Sequence, residues 1–135
     1  MFIYSTQIKL HQTDAAGLLF FSHQFELIHD AYESLLEKIG YGFAVLIKKK
    51  SYFLPIVHAS CDYKKPLFVG NPIKIKVTVE NIGKSSFTFA YELWLRQTLV
   101  GTAQTVHVTM DKKTRRKIPL PALFRKAIEQ IAKNS

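Results

Sequence analysis

Apolar and polar residues first alternate along this chain, then change period, then alternate again. Phe2, Tyr4, Thr6 and Ile8 fall on one face of a two-residue repeat, which predicts a strand over residues 2–11. From Phe21 the spacing becomes three and four. Phe21, Phe25, Ile28, Tyr32, Leu35, Leu36 and Ile39 form one stripe, which predicts a helix of about five turns from Ser22 to Ile39. Ser22 stands where an N-cap belongs, Glu26 lies near the first turn, and Gly40 is placed to stop the helix.

Four more alternating runs follow. "YFLPIVHASCDY" reads as one strand and "NPIKIKVTVENI" as the next, with Ile73, Ile75, Val77 and Val79 on its apolar face. "SSFTFAYELWLR" aligns Phe87, Phe89, Tyr91, Leu93 and Leu95, and "LVGTAQTVHVTM" is a further strand. Short turns at Gly70-Asn71 and Gly83-Lys84 favour antiparallel neighbours. Leu123, Ala127, Ile128 and Ile131 predict a short C-terminal helix. A sheet with one apolar face needs a cover, and the helix at 22–39 is the one element large enough. The prediction is an α+β fold: one long helix packed on a curved antiparallel sheet. Trp94, Ala90 and Val106 fall on the opposite face, a candidate subunit contact.

The 135 residues suit a single domain over 1–135, and a composition 47% hydrophobic and 21% charged is that of a globular chain. The net charge of +9 favours an anionic partner such as nucleic acid, acidic lipid or a phosphorylated small molecule. Cys61 is the sole cysteine, which excludes an intrachain disulfide and a cysteine metal cluster and points to a cytoplasmic setting. No signal peptide and no membrane span are expected from the N-terminal residues and the broken apolar runs.

Asp14 is the conspicuous polar residue, set before two alanines, Gly17 and "LLFF". A helix start carries unpaired N–H groups and partial positive charge, which can hold a developing oxyanion. A carboxylate beside it can attack a carbonyl or activate water against it. Spacing alone favours a turn-forming or loop-capping aspartate. Other candidates are weaker. "IGKSS" lacks the first glycine of a phosphate loop, because Thr78 occupies that position. The histidines at 11, 23, 29, 58 and 107 show no zinc spacing, and no metal or other cofactor is expected. No G-x-S-x-G is present, and Cys61 reads as a packed strand residue. His58 interrupts an apolar strand, either as a satisfied histidine or as a ligand-binding one. "KKTRRK" at 112–117 puts five positive charges in six residues, either a solvated turn or a phosphate clamp, with Lys48–Lys50, Lys64 and Lys65 adding to the field. No nucleic-acid-binding signature accompanies the charge.

These residues resemble a family. "TDAAGLLFFSHQFELIHDAYESLL" is similar to the N-terminal signature of hot-dog-fold thioesterases of the 4-hydroxybenzoyl-CoA type. "HDAYESLL", "FLPIVHASCDYKKPLFVGN" and "AQTVHVTMDKKTRRKIPLP" resemble the branch of 1,4-dihydroxy-2-naphthoyl-CoA hydrolases of menaquinone and phylloquinone synthesis. Many relatives in the wider family carry Ala-x-Arg where this chain has Ala31-Tyr32-Glu33, a departure that the naphthoyl-CoA branch shares. The resemblance implies a hot-dog fold, homodimers or homotetramers with sites between subunits, and an acyl-CoA substrate, without nucleic acid or membrane. It implies that Asp14 is the catalytic carboxylate and that the loop through Gly17 brings the Phe21 N–H to the thioester oxygen. Phe20 and Leu54, with Phe53 and Ile56, would enclose the ring, and His58 and Ser60 would bind its hydroxyls. Lys64, Lys113, Arg115 and Arg116 would hold the CoA phosphates. A broader acyl-CoA or acyl-carrier-protein thioesterase is the next reading. A non-catalytic module that binds CoA or nucleic acid is the reading of another class.

Overall fold

The computed structural model describes residues 1–134. Strand β1 (Phe2–Gln7) leads through a 3-10 turn at Leu10–Gln12 to helix α1 (His23–Lys38) and the short helix α2 (Phe43–Lys49). Strands β2 (Tyr52–Phe53), β3 (Ile56–Tyr63), β4 (Pro72–Ile82), β5 (Ser86–Leu95), β6 (Thr98–Val108) and β7 (Met110–Asp111) follow, and helix α3 (Ala122–Lys133) closes the chain. Five strands form one antiparallel sheet in the order β1-β4-β5-β6-β3, and β2 pairs with β7 in a separate two-stranded ribbon.

The alternation of β4 and β5 does what the pattern demands. Ile73, Ile75, Val77, Phe87, Phe89, Tyr91 and Leu93 all face the core, where α1 lies on them. The helix turns a slightly different face inward than the stripe predicted. Gln24, Leu27 and Ala31 join Ile28, Tyr32, Leu35 and Leu36 as buried residues, whereas Phe21 is 61% and Phe25 36% exposed. Ser22 has helical dihedrals and its side chain makes no capping bond. Gly40 does end the helix, with the positive φ of +87° that glycine tolerates.

Four other expectations need correction. The first strand ends at Gln7 rather than residue 11, giving way to the 3-10 turn. The run 52–63 is two strands, because Pro55 has no N–H to continue a ladder; its carbonyl instead accepts from the Val108 N–H. The turn at Gly70-Asn71 does not join neighbours: β3 pairs with β6 and β4 with β1, so residues 64–71 cross the end of the sheet. In α3, Phe124 is fully buried among Tyr41, Tyr52 and Phe87, and Leu123 points outward at 71% exposure. The Gly83-Lys84 turn is the predicted hairpin, closed by Gly83 N–H to the Ser86 carbonyl.

Candidate active site

The site is assembled by the loop that enters α1. Residues 12–20 fold back on themselves: Phe20 N–H donates to the Gln12 carbonyl, Thr13 bridges Leu19, and Asp14 N–H donates to the Leu18 carbonyl at 2.8 Å. Gly17, at φ +78°, makes the reversal possible. A Cβ there would meet nothing within 4 Å, so backbone conformation rather than space calls for glycine. Gly17 was expected at the site through its loop, and shaping that loop is the work the structure gives it.

The turn reading of Asp14 is realised, and one carboxylate oxygen is left over. Oδ1 accepts from the N–H of Ala16 (2.8 Å) and of Leu18 (3.2 Å), as in an Asx turn. No hydrogen bond reaches Oδ2 among the described residues. The side chain is exposed, and the turn aims one oxygen by holding the other. The carboxylate stands two residues, about 7 Å of extended chain, from the rung that delivers Phe21 to the helix.

At that helix start the N–H groups of Phe21 and Ser22 have no partner among the described residues. His23 N–H turns back to the Phe20 carbonyl and Phe25 N–H to the Ser22 carbonyl. Free donors at a positive helix end stabilise negative oxygen. Several residues that the sequence pattern did not single out hold this corner rigid. Gln12 is 2% exposed; its Oε1 accepts from Lys9 N–H and its Nε2 donates to Glu26. That bond, ahead of the contact with His23, keeps the Glu26 carboxyl below its usual range. Gln24 Nε2 donates to the carbonyls of Asp62 and Thr102, and the Tyr63 hydroxyl donates to the Phe21 carbonyl at 2.7 Å. Gln24 was legible as a polar residue on the buried face of the helix.

An open cleft of about 330 Å³ lies at this corner, lined by Leu19, Phe21, Gln24, Tyr63, Lys64 and Lys65. Lys64 therefore lines this cleft, and Phe20 is 45% exposed beside Phe21, with ring centroids 4.8 Å apart. The other expected contacts are elsewhere. A register shift between Ile56 and His58 resets the alternation of β3. Ala59 and Cys61 then pair with Thr105 and Ala103 on the helix side, and His58 and Ser60 with Val106 and Gln104 on the outer side. Leu54 is buried in the core at 8% exposure. Lys113, Arg115 and Arg116 belong to a turn after β7, at the Ile56 end of β3. Lys64 follows the Tyr63 end, so the length of β3, about 23 Å, divides the basic residues within one chain. The turn is shaped by Asp111, whose Oδ2 accepts from the N–H of Lys113 and Thr114. Lys112 Nζ donates to the carbonyls of Leu46 and Ile47 at the end of α2.

Cys61 is no nucleophile in this setting. Burial pushes its thiol up to about 11. Only about a thousandth is thiolate at pH 8, so alkylation of the native protein is expected to run about two orders of magnitude slower than that of free cysteine. Mass-spectrometric labelling with iodoacetamide checks this; labelling at the free-thiol rate would contradict the burial. Among the described residues no group of three or more His, Cys, Asp or Glu side chains is placed to hold a metal ion, and no helix is long and apolar enough to cross a membrane.

Residues 8–128 match the family model of the thioesterase-like superfamily. The chain belongs to that superfamily. A 1,4-dihydroxy-2-naphthoyl-CoA hydrolase of Microcystis aeruginosa is 36% identical over 118 residues, which cover 87% of this chain and 86% of the relative. A protein of the same description from Nostoc punctiforme is 35% identical over 120 residues, 89% of this chain and 81% of the relative. Among solved structures, a 1,4-dihydroxy-2-naphthoyl-CoA thioesterase from Synechocystis superposes with a TM-score of 0.89 at 32% identity, covering 96% of each chain. The α1-on-sheet architecture is thus the hot-dog fold of these thioesterases, as the resemblance implied.

Proposed function

We propose that this thioesterase hydrolyses 1,4-dihydroxy-2-naphthoyl-CoA to 1,4-dihydroxy-2-naphthoate and CoA. The observation that carries the proposal is the pairing of an exposed carboxylate, Asp14, with the free N–H groups of Phe21 and Ser22 in a chain about one-third identical to hydrolases of that description. The thioester carbonyl oxygen rests on the helix-start amides, which stabilise the negative charge that grows on it. Asp14 Oδ2 either deprotonates a water that attacks the acyl carbon, or attacks it directly to give a mixed anhydride that water then hydrolyses to acid and free Asp14, and Oδ1 stays anchored to Ala16 and Leu18. The C–S bond breaks and CoA leaves as a thiolate, which needs no strong acid because thiol pKa values lie near 8–9.

We propose an assembly through β3, one of the two edge strands of the sheet. β3 is hydrogen-bonded on one side only, and its residues, including Ile56 and Val57, are half-buried or exposed along the whole strand. Such an edge is a template for a second strand. Two copies pair antiparallel along β3 about a twofold axis. That arrangement carries the partner's 111–117 turn to the α1 start of the first chain. The basic residues that one chain keeps about 23 Å apart are thereby reunited at one site, where Lys64 of one subunit and Lys113, Arg115 and Arg116 of the other hold the CoA phosphates.

A thiol-release assay with purified protein tests the substrate. The expected order of kcat/KM is 1,4-dihydroxy-2-naphthoyl-CoA above benzoyl- and phenylacetyl-CoA, with hexanoyl-CoA last. Preference for the aliphatic thioester would reject the naphthoyl reading.

A further inference from the structure

One peptide at the helix start bears on the site from both sides. The N–H of Ser22 is one of the two free donors, and the carbonyl of Phe21 belongs to the same planar unit. In a trans peptide the N–H and the C=O point in opposite directions. Whatever fixes the carbonyl therefore also aims the N–H. Ser22 has helical dihedrals, φ −69° and ψ −23°, yet the helix itself grips that carbonyl weakly. The one backbone donor it receives among the described residues is the Gln24 N–H at 3.4 Å, beyond the usual range of about 2.7–3.2 Å. The Phe25 N–H, next along the helix, goes to the Ser22 carbonyl instead.

The short bond to that carbonyl comes from β3. The Tyr63 hydroxyl donates to it at 2.7 Å. Partial burial raises the phenol above its ordinary value, so it is an O–H donor at neutral pH. Tyr63 closes β3 opposite Gly101 in β6, and the next two N–H groups, of Lys64 and Lys65, both donate to the Val100 carbonyl. The hydroxyl is thus carried by a paired strand end rather than by a free loop. Gln24 ties the helix to the same place. Its Nε2 donates to the Asp62 and Thr102 carbonyls, and a Cβ on Gly101 would come within 2.9 Å of its amide atoms. Tyr63 is 48% exposed and lines the cleft with Phe21 and Lys64. Water can replace its hydroxyl on the exposed Phe21 carbonyl, so the bond adds little to stability.

We propose that Tyr63 is a positioning residue for hydrolysis: its hydroxyl holds the peptide between Phe21 and Ser22 so that the Ser22 N–H points at the thioester oxygen. The inference rests on the site reading above and adds to it the side chain that aims one of the two donors. No bond to substrate is made or broken at Tyr63. A hydrogen bond accepted by the carbonyl also polarises the peptide and strengthens its N–H as a donor. Both effects grow with the negative charge on the thioester oxygen. They therefore act on the transition state more than on bound substrate.

The experiment compares wild type with Tyr63→Phe on 1,4-dihydroxy-2-naphthoyl-CoA by thiol release, together with the thermal midpoint of each protein. Tyr63→Phe keeps the ring in the cleft. It is expected to lower kcat about 10-fold, with KM and midpoint nearly unchanged. The infrared stretch of an isotope-labelled thioester carbonyl supplies a readout that packing alone does not move. Bound to Asp14→Asn, the carbonyl should absorb at lower frequency than in water, and that shift should shrink when Tyr63→Phe is added. An unchanged kcat in Tyr63→Phe, or a carbonyl band that the added substitution does not move, would overturn the assignment and leave Tyr63 a packing residue. Undiminished turnover by Asp14→Asn would instead overturn the site reading on which the inference rests.

Discussion

Replacing Asp14 with asparagine is expected to lower kcat by at least about two orders of magnitude while leaving the fold intact. The asparagine carbonyl can still accept the Ala16 and Leu18 N–H bonds that shape the loop. What it loses is the charge on the free oxygen, and with it both the nucleophile and the base. The substrate still lies on the Phe21 and Ser22 amides and in the same cleft, so KM should change little. The pattern of a large kcat effect, a small KM effect and an unshifted thermal midpoint separates loss of chemistry from loss of structure. Asp14→Ala is a poorer probe, because it also strips two hydrogen bonds from a loop that Gly17 has already bent to a positive φ.

Mixing two crippled variants should restore activity. In Asp14→Asn every site lacks its carboxylate. In the triple variant Lys113→Ala, Arg115→Ala, Arg116→Ala every site lacks the basic turn, and kcat/KM at low substrate should fall about 10-fold or more. If Asp14 comes from one chain and the turn from the other, a hybrid dimer has one site with both defects and one with neither. Random reassortment makes about half the dimers hybrid, so equimolar mixing should return about a quarter of wild-type activity. If both parts came from the same chain, each site would keep its own defect and mixing would give only the average of the two variants. Dissociation and reassembly of the two pure proteins supplies the control.

The architecture was legible because both periods are long. Eleven strand residues in β4 and sixteen helical residues in α1 leave little doubt about type or face. The helix α2 was not visible, since "FAVLIKK" spans seven residues and barely completes two turns of pattern. Strand order was misread because the shortness of the Gly70-Asn71 turn describes only local chain reversal, whereas β3 finds β6 across the sheet. The same limit affected the site. Asp14, Gly17 and Phe21 are close in sequence and lie on the one loop that enters α1. His58 and Ser60 lie on the opposite face from Ile56 because one irregularity after Ile56 shifts the alternation of the residues beyond it. Tyr32 was counted as core on the strength of its spacing. The structure keeps it in the core and shows what spacing could not, that its hydroxyl and His107 Nδ1 have no hydrogen-bond partner among the described residues. The basic residues were grouped by charge, and distance in the fold splits them between the two ends of β3.

The most direct test of Asp14 as the reacting group is a single-turnover measurement of thiol release, with enzyme in excess over 1,4-dihydroxy-2-naphthoyl-CoA. It isolates bond breaking from product departure. The account predicts one thiol per substrate from both proteins, with the rate constant of Asp14→Asn at least about 100-fold below wild type. A variant that releases its thiol as fast as wild type would contradict it.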